Sequence, residues 1–229
     1  MMRVREGVEL IRSSHGRRLL WRSAYLRLYS RHIAIAVRRD LNVPHDPGPA
    51  KIPLVVRQLQ PDDDLSLVAD VPGLTPQAAE ERATQRWLLS SDLPAPWVAV
   101  DPEGTVLFMT WMLMAQDNAR IKARWGKELP ELQPDEAIIE GPFSAQSHRG
   151  LRVMHASHLI VEAFRDFGVR YVMGFISEKN IPQLIVAEQG AFYPFAKREM
   201  RWLFYRLRVR FLPLSEDDKI KLQTQFAQR

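Results

Sequence analysis

Residues 137–192 read AIIEGPFSAQSHRGLRVMHASHLIVEAFRDFGVRYVMGFISEKNIPQLIVAEQGAF. The apolar run Ala137–Phe143 has the length and composition of a buried strand. A polar loop carrying Arg149-Gly150 follows and opens into a helical pattern over about Leu151–Phe167. Within that pattern Val153, Ala156, Ile160, Ala163, Phe164 and Phe167 make one apolar stripe. A second strand is predicted over Tyr171–Ile176. Asn180 then leads into a second helix over Pro182–Gln189, whose proline suits a first turn, and Gly190-Ala191-Phe192 ends it. A strand that runs through a polar, Gly-containing loop into a helix start is a place for an anion. The first turn leaves N–H groups unpaired, and the positive end of the helix dipole lies there.

Upstream of this stretch, Leu54–Leu59 reads as a strand, and Pro61-Asp62-Asp63-Asp64 opens helical material that reaches about Leu89, interrupted by Pro72-Gly73. Trp97–Val100 and Thr105–Met114, joined through Asp101-Pro102-Glu103-Gly104, form a β-hairpin pattern. Residues 115–134 are polar, with helical character around Asn118–Trp125. Downstream, Tyr193–Lys197 and Trp202–Leu212 are predicted as closing strands, and a short helix is expected after Ser215. At the N-terminal side, Val4, Val8, Ile11, Leu19, Leu26 and Tyr29 recur among arginines at helical spacing, with Gly16 dividing two helices, and Ile33–Val37 reads as a short strand. The prolines at 44, 47 and 49 forbid helix and remove ladder donors. The expected division is a basic helical appendage with a short strand (1–43), a Pro-rich linker (44–53), a main domain (54–214) and a polar tail (215–229).

The chain has 229 residues, 46% apolar and 26% charged, the composition of an ordinary globular protein with ample material for a core. It contains no cysteine, which excludes disulfides, thiolate metal sites and a cysteine nucleophile, and fits a reducing compartment. No window approaches the roughly 18 consecutive apolar residues of a spanning helix. The first 20 residues mix Arg and Glu rather than showing a basic start and an apolar run, so the expected location is the cytoplasm. The formal charge of +5 is uneven: residues 1–39 hold ten arginines against two glutamates, a net of +8, which leaves −3 for the rest. A solvated face is the plain reading of that basic segment. Nucleic acid is not expected as a partner, and peripheral membrane contact through residues 1–39 stays open.

The order strand, helices, hairpin, strand, helix, strand, helix, strands, with Arg149-Gly150 and Asn180 at their places, resembles the GNAT (GCN5-related) N-acetyltransferases over about Leu54–Leu212. The resemblance implies an α/β (α+β) fold with a mixed central sheet flanked by helices. It also implies an acyltransferase that moves an acetyl group from acetyl-CoA to the amine of a small molecule or peptide by direct attack in a ternary complex; a homodimer is compatible with it. The donor is expected where the strands at 137–143 and 171–176 splay apart. Its pantetheine arm would pair with the backbone at Phe143, Ser144 and Ala145, and its pyrophosphate would sit on the next helix start, across His148, Arg149, Gly150, Leu151, Arg152 and Val153. Asn180 matches the position that holds the last helix and the donor.

The family pattern departs at three places. Arg152 and Met154 stand where glycines would let backbone approach phosphate, and Ala187 stands where a tyrosine would protonate the leaving thiolate. Arg152 can pair with phosphate through its side chain instead. These departures motivate the alternative of a catalytically degenerate ligand-binding or interaction protein. An ammonium acceptor needs a base, and Glu140, flanked by apolar residues in mid-strand, is the candidate, with Tyr193 the candidate acid. His155, His158 and Glu162 share a helix face nearly opposite the apolar stripe, so they read as a solvated face and no metal is expected. No P-loop and no serine nucleophile elbow occurs.

Overall fold

The computed structural model describes residues 27–46, 48–144 and 153–227. The expected helices before residue 27 and the loop residues Ala145, His148, Arg149, Gly150, Leu151 and Arg152 lie outside the described residues. In chain order the elements are β1 (Tyr29–Asp40), β2 (Val55–Gln58), α1 (Pro76–Leu89), β3 (Trp97–Val100), β4 (Val106–Met114), α2 (Asn118–Trp125), β5 (Glu136–Ser144), α3 (Ala156–Ala163), β6 (Tyr171–Ser177), α4 (Ile181–Gln189), β7 (Tyr193–Leu203), β8 (Arg206–Pro213) and α5 (Glu216–Ala227). The strands form one eight-stranded sheet in the order β2-β3-β4-β5-β6-β1-β7-β8. Only β5 and β6 run parallel; every other described pair is antiparallel. This is the mixed sheet flanked by helices that the sequence predicts.

Around β4 both faces of the sheet are covered, which explains why that strand reads as an almost unbroken apolar run whose residues 106–113 are all buried. On one face Ile35, Val37, Phe108, Met112 and Val172 pack with Ile160 of α3, Leu184 of α4 and Leu222 of α5. On the other, Val98, Met109, Trp111, Leu113, Ile138 and Met173 pack with Leu88 of α1 and Ile121 of α2. Trp111 is fully buried, and Trp97 meets Phe164 edge-to-face at 5.3 Å, so these tryptophans serve the core. Among the described residues no helix is long and apolar enough to cross a membrane.

Two expectations change. The short strand at Ile33–Val37 is in fact β1, twelve residues long, and it lies inside the sheet between β6 and β7. Residues 29–40 are therefore part of the main sheet rather than of an appendage to it, and Tyr29, expected to close a helix, opens a strand. The physical reason is that Ala34, Ile35, Ala36 and Val37 are all buried, with neighbours on both edges. Second, the acids at 62–64 lead only into a single 3-10 turn, Ser66–Val68, and start no α-helix. Asp63 takes both guanidinium nitrogens of Arg57 at 2.6 and 2.7 Å and accepts the Gln60 N–H at 2.7 Å, while Asp64 accepts the Ser66 N–H at 2.8 Å. Short carboxylates spent on local turns compete with helix. Helix α1 starts at Pro76 instead, capped by the Thr75 hydroxyl, which accepts the Ala78 N–H.

Candidate active site

The parallel pair β5–β6 is joined at only three positions, Glu136 with Tyr171, Ala137 with Val172 and Ile138 with Met173. Beyond them the strands diverge. Each stays bonded on its far edge: β5 to β4 as far as Ser144 opposite Phe108, and β6 to β1 as far as Ser177 opposite Ala34. The inner edges beyond Ile138 and Met173 are thus two backbone rows without a strand partner, facing one another across a cleft of about 310 Å³. Its walls are Ile139–Pro142 from β5, Gly174–Ser177 from β6, Asn180, Gln183, Val186 and Ala187 from the start and inner face of α4, and Ser157 and His158 from α3. An unpaired strand edge takes an extended ligand that carries amides, by adding it as a strand.

A bulge shapes the β5 wall. Trp111 lies opposite Glu140 and Met109 opposite Phe143, so Thr110 alone faces both Gly141 and Pro142. The Thr110 hydroxyl donates to the Glu140 carbonyl at 3.0 Å. Gly141 has φ +60, and a Cβ there would lie 3.1 Å from Leu88 Cδ1 and 3.3 Å from Trp111 Cε3. Only glycine combines that backbone with that fit, and the bulge bends β5 at the cleft.

Glu140 sits at this bend in the cleft wall. Burial pushes its carboxyl up to about 7, offset in part by the charge of Arg198 and by the Gly141 N–H, while Glu128 pushes it further up. Arg198 on β7 is held below its ordinary value by burial; Glu140 and Glu128 counter that. Its Nη1 donates to the Glu128 carbonyl at 2.8 Å, and its guanidinium lies 4.4 Å from the centre of the Phe175 ring, which also lines the cleft. Glu128 belongs to the long segment 115–134, which Asn118 pins by bonds to both backbone groups of Leu132 at 2.9 Å. Sequence reading passed over Arg198. The available signal was its phase, because Ala196, Arg198, Met200 and Trp202 share one face of β7, where an arginine is out of character.

The other sequence candidates separate. Asn180 lines the cleft and caps α4, its side-chain oxygen accepting the Gln183 N–H at 3.3 Å. Phe143 and Ser144 continue β5 beyond the bulge. Val153 is buried in the core beneath α3. Tyr193 opens β7 opposite Arg38, is 63% exposed and does not line the cleft, so the structure does not bring it to Glu140. Ala187 forms cleft wall at the place where the family pattern has tyrosine.

The histidine face is corrected outright: it is not solvated. His155 and His158 are buried, their rings 5.7 Å apart in a T-shaped contact, and His158 forms part of the cleft wall. Its ring occupies the space above Gly190, where a Cβ would fall 1.8 Å from Cε1. Glu162 pairs with Arg39 of β1, whose side chain is 1% exposed, and with Arg165 at 2.9 Å. Helical periodicity assigned that face to water because it could not see β1 and the end of α4 closing over it. Among the described residues no group of three or more His, Asp or Glu is placed to hold a metal ion.

No protein-family model and no curated protein matches this chain. Several solved structures resemble it. A GCN5-related N-acetyltransferase from Sphaerobacter thermophilus is 13% identical, over 89% of this chain and 58% of that one, with a TM-score of 0.45. A tandem GNAT protein from the clavulanic acid biosynthesis pathway is 16% identical, over 81% and 55%, with a TM-score of 0.42. A GCN5-related glucosamine N-acetyltransferase region of a fungal multi-domain GH3 β-N-acetylglucosaminidase is 12% identical, over 83% and 23%, with a TM-score of 0.49. The chain spans little more than half the length of the first two. At such identities and scores the cleft's own residues decide what it can do.

Proposed function

We propose that this chain is a GNAT-type acyltransferase that uses acetyl-CoA as donor and an amine as acceptor, acting in the cytoplasm. The observation that carries the reading is the β5–β6 splay with Glu140 at its bend. The free inner edge of β5 beyond the bulge suits the amide-bearing arm of the donor, whose thioester supplies the activated acyl group. The N-terminus of α4, capped by Asn180, stands at the same cleft. Glu140, titrating about 7, is matched to a base that must accept a proton from an ammonium near neutral pH. Once Glu140 holds that proton, the neutral nitrogen forms the new N–C bond as the C–S bond breaks, and the departing thiolate takes up the second proton that the nitrogen sheds, leaving as the free thiol. Arg198 keeps Glu140 from rising further, and Glu128 ties Arg198 to the segment 115–134, which is proposed to shape the acceptor side. Tyr193 is left out of this mechanism, being exposed and outside the cleft.

The presence of Ala187 in the wall, where an acid would be needed, favours a second reading, a cleft that binds acyl-CoA without turnover. Two measurements separate the readings. Acetyl-CoA at 100 times its dissociation constant should add about 2.7 kcal/mol of stability, seen as a rise in Tm; no shift at millimolar donor would overturn both. Thiol release across an amine panel should then show turnover that Glu140→Gln lowers by about 10²–10⁴-fold with the Tm shift retained. A full Tm shift with no thiol release from any amine would favour the binding reading.

A further inference from the structure

Beyond α5 the sheet carries a different surface. Lys197 of β7 pairs with Asp218 of α5 at 2.6 Å, and its row across the sheet is Ile35, Lys197 and Leu212. The next three rows on the same face are Ile33–Glu199–Arg210, Arg31–Arg201–Arg208 and Tyr29–Leu203–Arg206. No described helix covers them, and a shallow groove of about 110 Å³ runs between Glu199, Arg201, Leu203, Arg208 and Arg210. The patch holds five arginines and one acid, Glu199, which pairs with Arg31. Arg206, Arg208 and Arg210 are exposed and have no ion pair among the described residues. The middle row sets three arginines directly opposite one another on adjacent strands, an arrangement that destabilises a sheet, and Glu199 offsets the charge of Arg31 alone among them.

The patch ends at the β7–β8 turn, Phe204-Tyr205, whose rings are 74% and 56% exposed. Both residues have positive φ, +47 and +62, as a two-residue hairpin loop of this twist requires; Asn-Gly is the favoured occupant, and aromatic residues carry strain. Basic side chains on an edge strand can serve only to deter edge-to-edge pairing. That accounts for β8, but not for Arg31 and Arg201 in line on inner strands, nor for a strained aromatic tip.

We propose that this face docks on an anionic lipid bilayer, the arginines on headgroup phosphates and Phe204 and Tyr205 in the interfacial layer. Aromatic rings prefer that layer, and each basic residue near an anionic surface adds to binding. A nucleic acid fits less well. Phe204 and Tyr205 stand at the tip of the patch, not between its arginines, and the one ring within the rows, Tyr29, already has Arg201 over it at 5.8 Å.

The test uses the full chain with vesicles of phosphatidylcholine, alone and mixed with phosphatidylglycerol, in a sedimentation assay at two salt concentrations. Expected is salt-sensitive binding to the mixed vesicles only. The triple variant Arg201→Gln, Arg206→Gln, Arg208→Gln should weaken it about a hundredfold. Phe204→Asn with Tyr205→Gly should weaken binding while raising Tm, because it installs the favoured turn; this separates loss of docking from loss of folding. Equal binding to neutral and anionic vesicles, no response to either variant, or tighter arginine-dependent binding to a single-stranded RNA oligonucleotide would each overturn the proposal.

Discussion

At the scale of single residues, Glu140 couples stability to the chemistry proposed for it. Its carboxyl titrates about 7 in the fold against 4.5 for the free group, because burial disfavours the charge. Between those values the native state holds a proton that the unfolded chain has lost. Stability therefore falls as pH rises across that window, by about 3 kcal/mol at most. Glu140→Gln removes the liability: the variant should be more stable than the parent in urea unfolding at about pH 8 and nearly equal at about pH 4, while parental thiol release rises with pH through about 7. A constant stability difference across that range would show that Glu140 does not titrate there. Gly190 makes a separate residue-scale claim. Its φ of −90° suits any residue, so space alone demands glycine, since a Cβ would meet the His158 ring. Gly190→Ala should cost about 1–3 kcal/mol, and His158→Ala in the same chain should recover part of it, a coupling that a double-mutant cycle in urea measures.

Among elements, the β5 bulge fixes where the cleft opens. Gly141→Ala forces an alanine into a left-handed backbone and a Cβ against Leu88 and Trp111. The backbone strain alone costs about 1–2 kcal/mol, and chemical unfolding should show at least that loss. A larger proportional loss of thiol release than of folded protein is expected if the bend aims Glu140. The elements that build the cleft were legible because their signals are local: an apolar run for β5, a second for β6, and Asn180 with Pro182 at the start of α4. Glu140 was legible for the same reason, as a charge in an apolar strand. What escaped depends on partners distant in sequence. Arg198 gains its meaning from β7 lying beside β1 and from Glu128 reaching it. The buried face of α3 depends on β1 beneath it and on the end of α4. The Phe204-Tyr205 turn carries none of the Gly or Asn that announces a hairpin, so the sequence reading ends one strand at Lys197 and runs the next, Trp202–Leu212, straight through the turn that joins β7 to β8.

For the molecule as a whole, β1 is what the sequence conceals most. Five residues of it look like a strand, yet all twelve pair, with seven partners on β6 and ten on β7. It lies third from the β8 edge of the sheet, after β8 and β7 and before β6, so β7 and β8 reach the rest of the sheet only through it. It also supplies Ile35 and Val37 to the core under α3, α4 and α5, and Arg39 to the ion pair with Glu162. Taking away a central strand costs both ladders and the core beneath, which far exceeds the roughly 5–15 kcal/mol by which domains are stable. A chain starting at Pro53 should therefore lack a cooperative thermal transition, even though it keeps every element of the splayed cleft. A synthetic peptide of residues 27–43, added in excess, should restore the transition by taking the vacant place between β6 and β7, with a midpoint that rises with peptide concentration as mass action requires. Cooperative melting of the shortened chain by itself, at the parental temperature, would show that the cleft domain closes without β1.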